Sequence, residues 1–286
     1  MAIAEPIGAI RLRADAINDS RSLEPAAKAR ELSSLYARDV RPLQHGLADR
    51  ASPELHALFY LAQLTLFYAR FGGEVSAADA FSASRDDYAE LERRHAVTRD
   101  ETGQVYDGLV SERDFVAANA FRARHPEAKL DPLPPISVSP SFRRDRPAVF
   151  SLGSDGRTLD LHNVSLDHEA QVVVVAQCHF ARDAARDIAN DPELAEAFAK
   201  GHAVWVEDTT APLSAGELAE WNASFPRQPL AIVYDGAAWQ GVDFASSPTF
   251  HFFKAGKLAA RQVGFSRNEA FRSELKASLR ALGAMD

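Results

Sequence analysis

Cys178 is the residue of this chain best suited to covalent chemistry, and it is the only cysteine among 286 residues. It follows a run of mostly β-branched residues, 171–176, and precedes a predicted helix. Backbone N–H groups and the dipole at the start of a helix favour the thiolate, the nucleophile in thiol–disulfide exchange. A single cysteine excludes an intramolecular disulfide, so any disulfide at Cys178 must join it to another molecule.

The residues around Cys178 predict an α/β domain. The continuous apolar run 171–176 is typical of a strand buried on both faces of a sheet. A hairpin is predicted before it, with strands 149–152 and 158–161 around an Asp155-Gly156 turn. Capping patterns and apolar runs then predict further helices and strands at 179–190, 192–200, 203–206, 215–221, 230–234, 249–254, 257–263 and 267–282. This order implies a mixed sheet with helices on both faces.

The first part of the chain, residues 1–128, has helix signals and almost no strand signals. Four helices of similar length are predicted, at 26–47, 53–71, 77–96 and 101–124, with the short breaks that a helical bundle requires. Residues 129–147 contain five prolines in a polar, aperiodic stretch, which predicts an extended linker. The sequence therefore predicts a helical domain at 1–128, a linker at 129–147 and the α/β domain at 148–286.

Four segments of the second half resemble the thioredoxin superfamily, in particular its TlpA-like branch, which has a hairpin before the first core strand. They are the hairpin 150–161, the turn Gln177-Cys178-His179-Phe180-Ala181 after a strand, Ser246-Ser247-Pro248-Thr249-Phe250 before a strand, and Lys254-Ala255-Gly256-Lys257 before the last strand and helix. The resemblance covers residues 148–282. It implies a thioredoxin-like fold for the C-terminal domain.

The resemblance also implies a set of site residues. Cys178 corresponds to the nucleophile, with His179 adjusting its protonation. Pro248 corresponds to a proline that is cis in the family and faces the active-site cysteine, which places Ser247, Thr249 and Gln177 in the substrate-binding part of the site. Backbone groups next to such a proline can pair with an extended substrate segment.

Ala181 stands where the family has its second cysteine, so a dithiol cycle within one chain is excluded. Three functions remain open. Cys178 could act as a single thiol in exchange with glutathione, a client protein or a second copy of the chain. Alternatively, the fold could be a redox-inactive adaptor that binds a partner in the groove beside Pro248. As a third alternative, Cys178 and His179, with His168 or His162, could bind copper. No cofactor is expected for the first two.

Acidic side chains also lie near predicted functional edges. Glu207 and Asp208 follow the predicted strand 203–206, at the edge where α/β proteins place functional residues. Asp183 and Asp187 lie one turn apart on the helix after Cys178. Because arginines stand at neighbouring positions on that helix, a solvated charged face is the better interpretation of this pair.

Composition excludes some partners and predicts a compartment. A formal net charge of −8 disfavours nucleic acid or an anionic membrane, which both need clustered Lys and Arg. The most apolar stretch, 55–71, contains polar residues and is too short to span a bilayer. Residues 1–8 lack a secretory signal pattern, which predicts a cytoplasmic protein. The sequence leaves the oligomeric state open.

Overall fold

The computed structural model of the chain describes residues 6–286; residues 1–5, part of the segment used above to predict the compartment, lie outside this range. The chain forms two compact units. The first comprises residues up to Leu109 together with Ala120–Leu130, and the second comprises Val110–Asn119 and Asp131–Asp286. The short segment 110–119 thus belongs with the α/β unit, although the sequence placed it inside the helical domain.

The first unit is helical, as predicted. The helices of the described chain up to residue 124 are α1 (Ile7–Asp19), α2 (Pro25–Leu35), α3 (Ser52–Ala69), α4 (Ala77–Arg93), α5 (Arg99–Ser111) and α6 (Phe115–Arg124). Helix α1 was not predicted. The predicted helix 26–47 continues beyond α2 as a π-helix, Tyr36–Val40, and a 3-10 turn, Arg41–Gln44. The predicted helix 101–124 is interrupted, because Arg113 adopts a left-handed backbone conformation with φ of 61°.

A buried polar cluster lies beneath the π-helix of the first unit. The Nε2 atom of Gln44 donates to Oδ2 of Asp87 at 3.1 Å and to the hydroxyl of Tyr36 at 3.3 Å. The Asp87 side chain is fully buried, and its Oδ1 atom has no hydrogen-bond partner. Burial raises the pKa of Asp87 to about 7, because the charged form loses hydration. Asp87 is therefore a carboxyl that titrates near neutral pH inside the helical unit.

The second unit is built on a single mixed sheet within the described residues. Its strands are β1 (Ile136–Val138), β2 (Ala148–Leu152), β3 (Leu159–Asn163), β4 (Ala170–Val175), β5 (Val204–Glu207), β6 (Leu230–Val233), β7 (Thr249–Lys254) and β8 (Lys257–Val263). Their spatial order is β1-β3-β2-β6-β5-β4-β7-β8. Strands β4, β5 and β6 are parallel neighbours, so their carboxyl ends lie at one edge. Strand β1 lies within the predicted linker and pairs with β3, which corrects the view of 129–147 as a linker throughout.

Helices cover both faces of the sheet, as predicted, although unequally. The helices are α7 (His179–Asn190), α8 (Pro192–Lys200), α9 (Ala215–Ser224) and α10 (Glu269–Leu282). Aromatic rings pack three of them on one face: Phe198 and Trp221 lie against Trp205, and Phe271 lies against Phe250. On the other face a core of valines, with Phe253, packs against the segment that follows the 3-10 helix Gly236–Ala238.

Arg113 attaches the segment 110–119 to the end of β6. Its guanidinium donates to the carbonyl oxygens of Val233 and of Tyr234, the latter at 3.0 Å, and to that of Val110 at 3.2 Å. The same group lies 5.3 Å from the ring centroid of Phe150. Loss of hydration lowers the pKa of Arg113 to about 10. This side chain explains why residues 110–119 belong with the sheet.

No helix of residues 6–286 is both long and apolar enough to cross a membrane.

Candidate functional site

Cys178 occupies the start of α7, directly after the central part of the sheet. Strand β4 ends at Val175, and Cys178 is the N-cap residue of α7, with an extended backbone at φ −142° and ψ 169°. The backbone N–H of Ala181 donates to the carbonyl oxygen of Cys178 at 2.9 Å and closes the first turn. The thiol is free and half-buried. The strand-to-helix turn predicted from the sequence therefore places the thiol at a helix amino terminus.

Ser247 is the residue that contacts this thiol. The Sγ atom of Cys178 donates to the carbonyl oxygen of Ser247 at 3.2 Å, and the Ser247 hydroxyl lies 3.5 Å from Sγ. The same hydroxyl accepts the backbone N–H of Gln177 at 2.6 Å. The neutral thiol thus has an acceptor in the Ser247 carbonyl. The Ser247 hydroxyl proton is not needed for Gln177, and its two possible acceptors, the Val175 carbonyl oxygen and Cys178 Sγ, each lie 3.5 Å away, so it can be donated to a thiolate at Cys178.

Hydrogen bonds to the residues before and after Ser247 hold the loop in place. The Ser247–Pro248 peptide bond is cis. The carbonyl oxygen of Pro248 accepts the backbone N–H of Gly264 at 2.7 Å. Thr249 is fully buried, and its hydroxyl donates to the carbonyl oxygen of Ser246 at 2.7 Å. Thr249, predicted to take part in substrate binding, instead holds the loop through this hydrogen bond to Ser246.

The remaining predicted site residues, Gln177 and His179, flank Cys178 in the chain. The Nε2 atom of Gln177 is buried without a hydrogen-bond partner. The ring of His179 lies against that of Phe180, with the ring centroids 3.9 Å apart. Phe180 is 51% exposed and follows Cys178 by two residues in the chain. Sequence analysis had not identified Phe180 as a site residue. Its position as an aromatic residue in the first turn of a helix, near Cys178, could have indicated it.

Ala181 is fully buried on α7, three residues after the thiol. Its methyl group fills the position that a second thiol would take in a Cys-x-x-Cys turn. Because position 181 is alanine, no disulfide can form between positions 178 and 181. Cys178 is the only thiol that the chain contributes to the site.

The histidines proposed as further copper ligands lie far from Cys178. His162 is on β3, and three strands, β2, β6 and β5, separate it from β4, a distance of roughly 19 Å at the usual spacing of neighbouring strands. His168 precedes the amino end of β4, whereas Cys178 follows its carboxyl end. His168 instead stacks on His202, with centroids 4.0 Å apart. Within residues 6–286 no group of three metal-ligating side chains is suitably arranged for a metal ion. The copper alternative thus loses its supporting ligands.

Glu207 shares the sheet edge of Cys178. It ends β5, whose Val206 carbonyl accepts the N–H of Ala176 at 2.8 Å, just before the Cys178 turn. Burial, and to a smaller extent the neighbouring carboxylates of Glu217 and Asp208, raise the pKa of Glu207 to about 7, against the opposing charge of Arg182. A carboxyl that changes charge near neutral pH therefore lies at this edge.

His251 was missed by sequence analysis because it lies inside the apolar run of β7. It is fully buried, and its Nε2 atom accepts the backbone N–H of Asp243 at 2.9 Å. A histidine between two phenylalanines in a predicted buried strand was the signal that could have identified it. Burial lowers the pKa of His251 to about 4, so the ring is neutral at physiological pH.

Comparison of the sequence with models of protein families gave no match, and no curated protein matches it. Two solved structures that resemble the chain are described as thioredoxin-like. One, a thioredoxin-like protein in its oxidised form, is 18% identical, with a TM-score of 0.31, and the match covers 49% of this chain and 99% of that one. The other, from Bacteroides caccae ATCC 43185, is 8% identical, with a TM-score of 0.28, and the match covers 92% of this chain and 94% of that one.

Proposed function

We propose that the second unit is a thioredoxin-like domain of the TlpA-like branch that performs thiol–disulfide exchange through Cys178 alone. The observation that carries the proposal is the position of the Cys178 thiol at the start of α7, 3.2 Å from the carbonyl oxygen of Ser247. The order of strands and helices around this turn agrees with the resemblance described above. The partner is glutathione or a client protein in the cytoplasm.

The chemistry of the proposed exchange needs two external reactants. The Cys178 thiolate attacks one sulfur of a partner disulfide, the partner's S–S bond breaks, and the departing thiolate takes up a proton. The product is a mixed disulfide at Cys178. Because Ala181 provides no second thiol, a thiol such as glutathione must attack the mixed disulfide and restore Cys178.

The neighbours of the thiol have distinct parts in this step. The Ser247 hydroxyl, 3.5 Å from Sγ, donates to the thiolate once the proton has left. The Nε2 atom of Gln177 is buried without a hydrogen-bond partner, so it becomes a donor for a bound partner's carbonyl group once the side chain turns outward. The half-exposed ring of Phe180 offers an apolar contact next to the thiol. His179 lies next to Cys178 in the chain and adjusts the charge around it.

The proposal is tested by incubating the full chain with oxidised glutathione at neutral pH. We expect a single glutathione adduct by intact-mass spectrometry, reversed by reduced glutathione and absent from Cys178→Ser. The adduct should form more slowly in Ser247→Ala, which lacks the donor to the thiolate. An unmodified wild-type protein, with a thiol that a small disulfide reagent still labels, would contradict the exchange function.

A redox-inactive adaptor is the second candidate, and the exposure of Phe180 is the observation that favours it. In this function the groove beside Ser247 and Pro248 binds a protein segment without forming a covalent bond, and the helical unit recruits a further partner. Affinity capture with wild-type protein and Cys178→Ser separates the two functions. Partners retained equally by both proteins, with or without reductant, favour the adaptor, whereas partners lost with Cys178→Ser or with reductant favour exchange.

A further inference from the structure

The loop 243–247, which brings Ser247 to the thiol, depends on Asp243 at its beginning. The carboxylate of Asp243 accepts the backbone N–H of Ala245 at 2.9 Å and pairs with Arg261 at 2.6 Å. The backbone N–H of Asp243 donates to Nε2 of His251 at 2.9 Å. Asp243 is thus held by side chains of two neighbouring strands, Arg261 on β8 and His251 on β7.

His251 lies on β7, the second strand from one edge of the sheet. It is fully buried on β7, where it is paired with Val173 of β4 on one side and with Arg261 of β8 on the other. Its ring lies nearly parallel to that of Phe253, with centroids 6.5 Å apart. Because two neighbouring strands fix its backbone, the position of Nε2 is set by the sheet and not by the loop that it holds.

The bond from Asp243 requires a neutral ring. An imidazole that accepts at Nε2 carries its proton on Nδ1, and a second proton would turn Nε2 from an acceptor into a donor. The charged groups facing the ring are Asp243 and Arg261, with opposite effects, and burial keeps the ring neutral down to a pH of about 4. Protonation would therefore release the amide of Asp243 and, with it, the start of the loop.

We propose that His251 is a positioning residue for Cys178: its neutral imidazole holds Asp243, and through the loop 243–247 it keeps the Ser247 carbonyl on the thiol. This inference rests on the proposed function in one respect, namely that Cys178 performs thiol–disulfide exchange; the contacts that position Cys178 do not depend on it. The chain of contacts runs from His251 to Asp243, along the loop to Ser247, and from Ser247 to Cys178. Release of the loop takes the Ser247 carbonyl and hydroxyl away from the sulfur together and uncovers it, and for a small thiol probe the gain in access outweighs the loss of the hydroxyl donor.

The test measures how fast 4,4′-dithiodipyridine, a disulfide probe that reacts with thiols at acidic pH, labels Cys178 in the full chain. His251→Gln keeps an acceptor near the Nε2 position and cannot be protonated, whereas His251→Leu removes the acceptor. At pH 7 we expect His251→Leu to react about fivefold faster than wild type, the effect of losing one neutral hydrogen bond. His251→Gln should stay close to wild type, as should the control His162→Gln on β3.

The pH profile gives a second readout that needs no unstable variant. As the pH falls towards 4, labelling of the folded wild-type protein should accelerate relative to His251→Gln, with circular dichroism showing that both remain folded. If His251→Leu does not fold, this comparison decides the question. Identical profiles for wild type and His251→Gln, or equal rates at pH 7 for a folded His251→Leu and wild type, would overturn the inference. Because the probe labels any accessible thiol, the result does not depend on glutathione exchange, whose failure would affect only the proposed function.

Discussion

Ser247 uses a single hydroxyl and a single carbonyl to organise the candidate site. The hydroxyl accepts from Gln177, and the carbonyl accepts from Cys178. The position of Cys178 at a helix start could be predicted from the order of strand and helix. The Ser247 contact spans 69 residues and became visible in the sequence only through a resemblance of motifs. The role of His251 could not be predicted, since an apolar strand pattern does not show which backbone N–H will meet a buried ring.

Replacing Ser247 with alanine should destabilise the protein measurably. The substitution leaves the N–H of Gln177 without its acceptor in a partly buried turn, which costs roughly 1–2 kcal/mol of the free energy of unfolding. Urea denaturation followed by tryptophan fluorescence measures this loss. Ser246→Ala is the matched control, because it changes the neighbouring hydroxyl and keeps that of Ser247. Equal stability of both variants would show that the hydroxyl of Ser247 is not needed to fix the turn.

The elements with strong local signals agree with the structure. The predicted strand 171–176 matches β4, Ala170–Val175, and the predicted cap Ser214 accepts the N–H of Glu217 at the start of α9. The interruptions were not predictable from local patterns. The π-helix contributes Tyr36 to a polar cluster with Gln44 and Asp87, and β1 is a three-residue strand that follows prolines. Such features depend on tertiary partners, which hydrophobic periodicity does not record.

At the scale of elements, Arg113 should determine how well the segment 110–119 is held to β6. Arg113→Leu leaves the carbonyl oxygens of Val233 and Tyr234 without this donor, at a cost of about 2–3 kcal/mol in the free energy of unfolding. Arg113→Lys should lie in between, because an ammonium group cannot match the fork of the guanidinium. Amide hydrogen exchange of residues 110–119 should accelerate in the same order. Unchanged exchange in Arg113→Leu, with Glu112→Gln as control, would contradict this role.

The whole molecule combines a helical unit and a mixed sheet, and the coarse division between them was predicted from composition and periodicity. The placement of residues 110–119 was not, because a continuous helical pattern gives no sign that Arg113 reverses the backbone. Each unit also contains a carboxyl with a pKa near 7, the buried Asp87 in the helical unit and the half-buried Glu207 in the sheet. The stability of the chain should therefore depend on pH in the neutral range, where few side chains normally titrate.

The pH dependence contributed by Asp87 has a definite sign. Its pKa of about 7 in the folded chain lies above the value of about 3.9 for an unfolded aspartate, so the folded state binds the proton more tightly. The resulting stabilisation, about 4 kcal/mol at most, is present below pH 4 and is lost as the pH rises to 7. Urea denaturation between pH 4 and 8 should show a smaller loss in Asp87→Asn, where only the contribution of Glu207 remains, than in wild type or in the control Asp100→Asn, which changes an exposed aspartate of α5. An equal pH slope in Asp87→Asn and in wild type would refute the assignment.

The methyl group of Ala181 has a kinetic consequence for any disulfide formed at Cys178. Because the chain contains no second cysteine, no internal thiol competes to break such a bond, and its lifetime depends on how often an outside thiol collides with it. The release rate of a covalently held molecule is then first order in the concentration of free thiol. A site of this kind holds its cargo for a time set by the surrounding redox buffer.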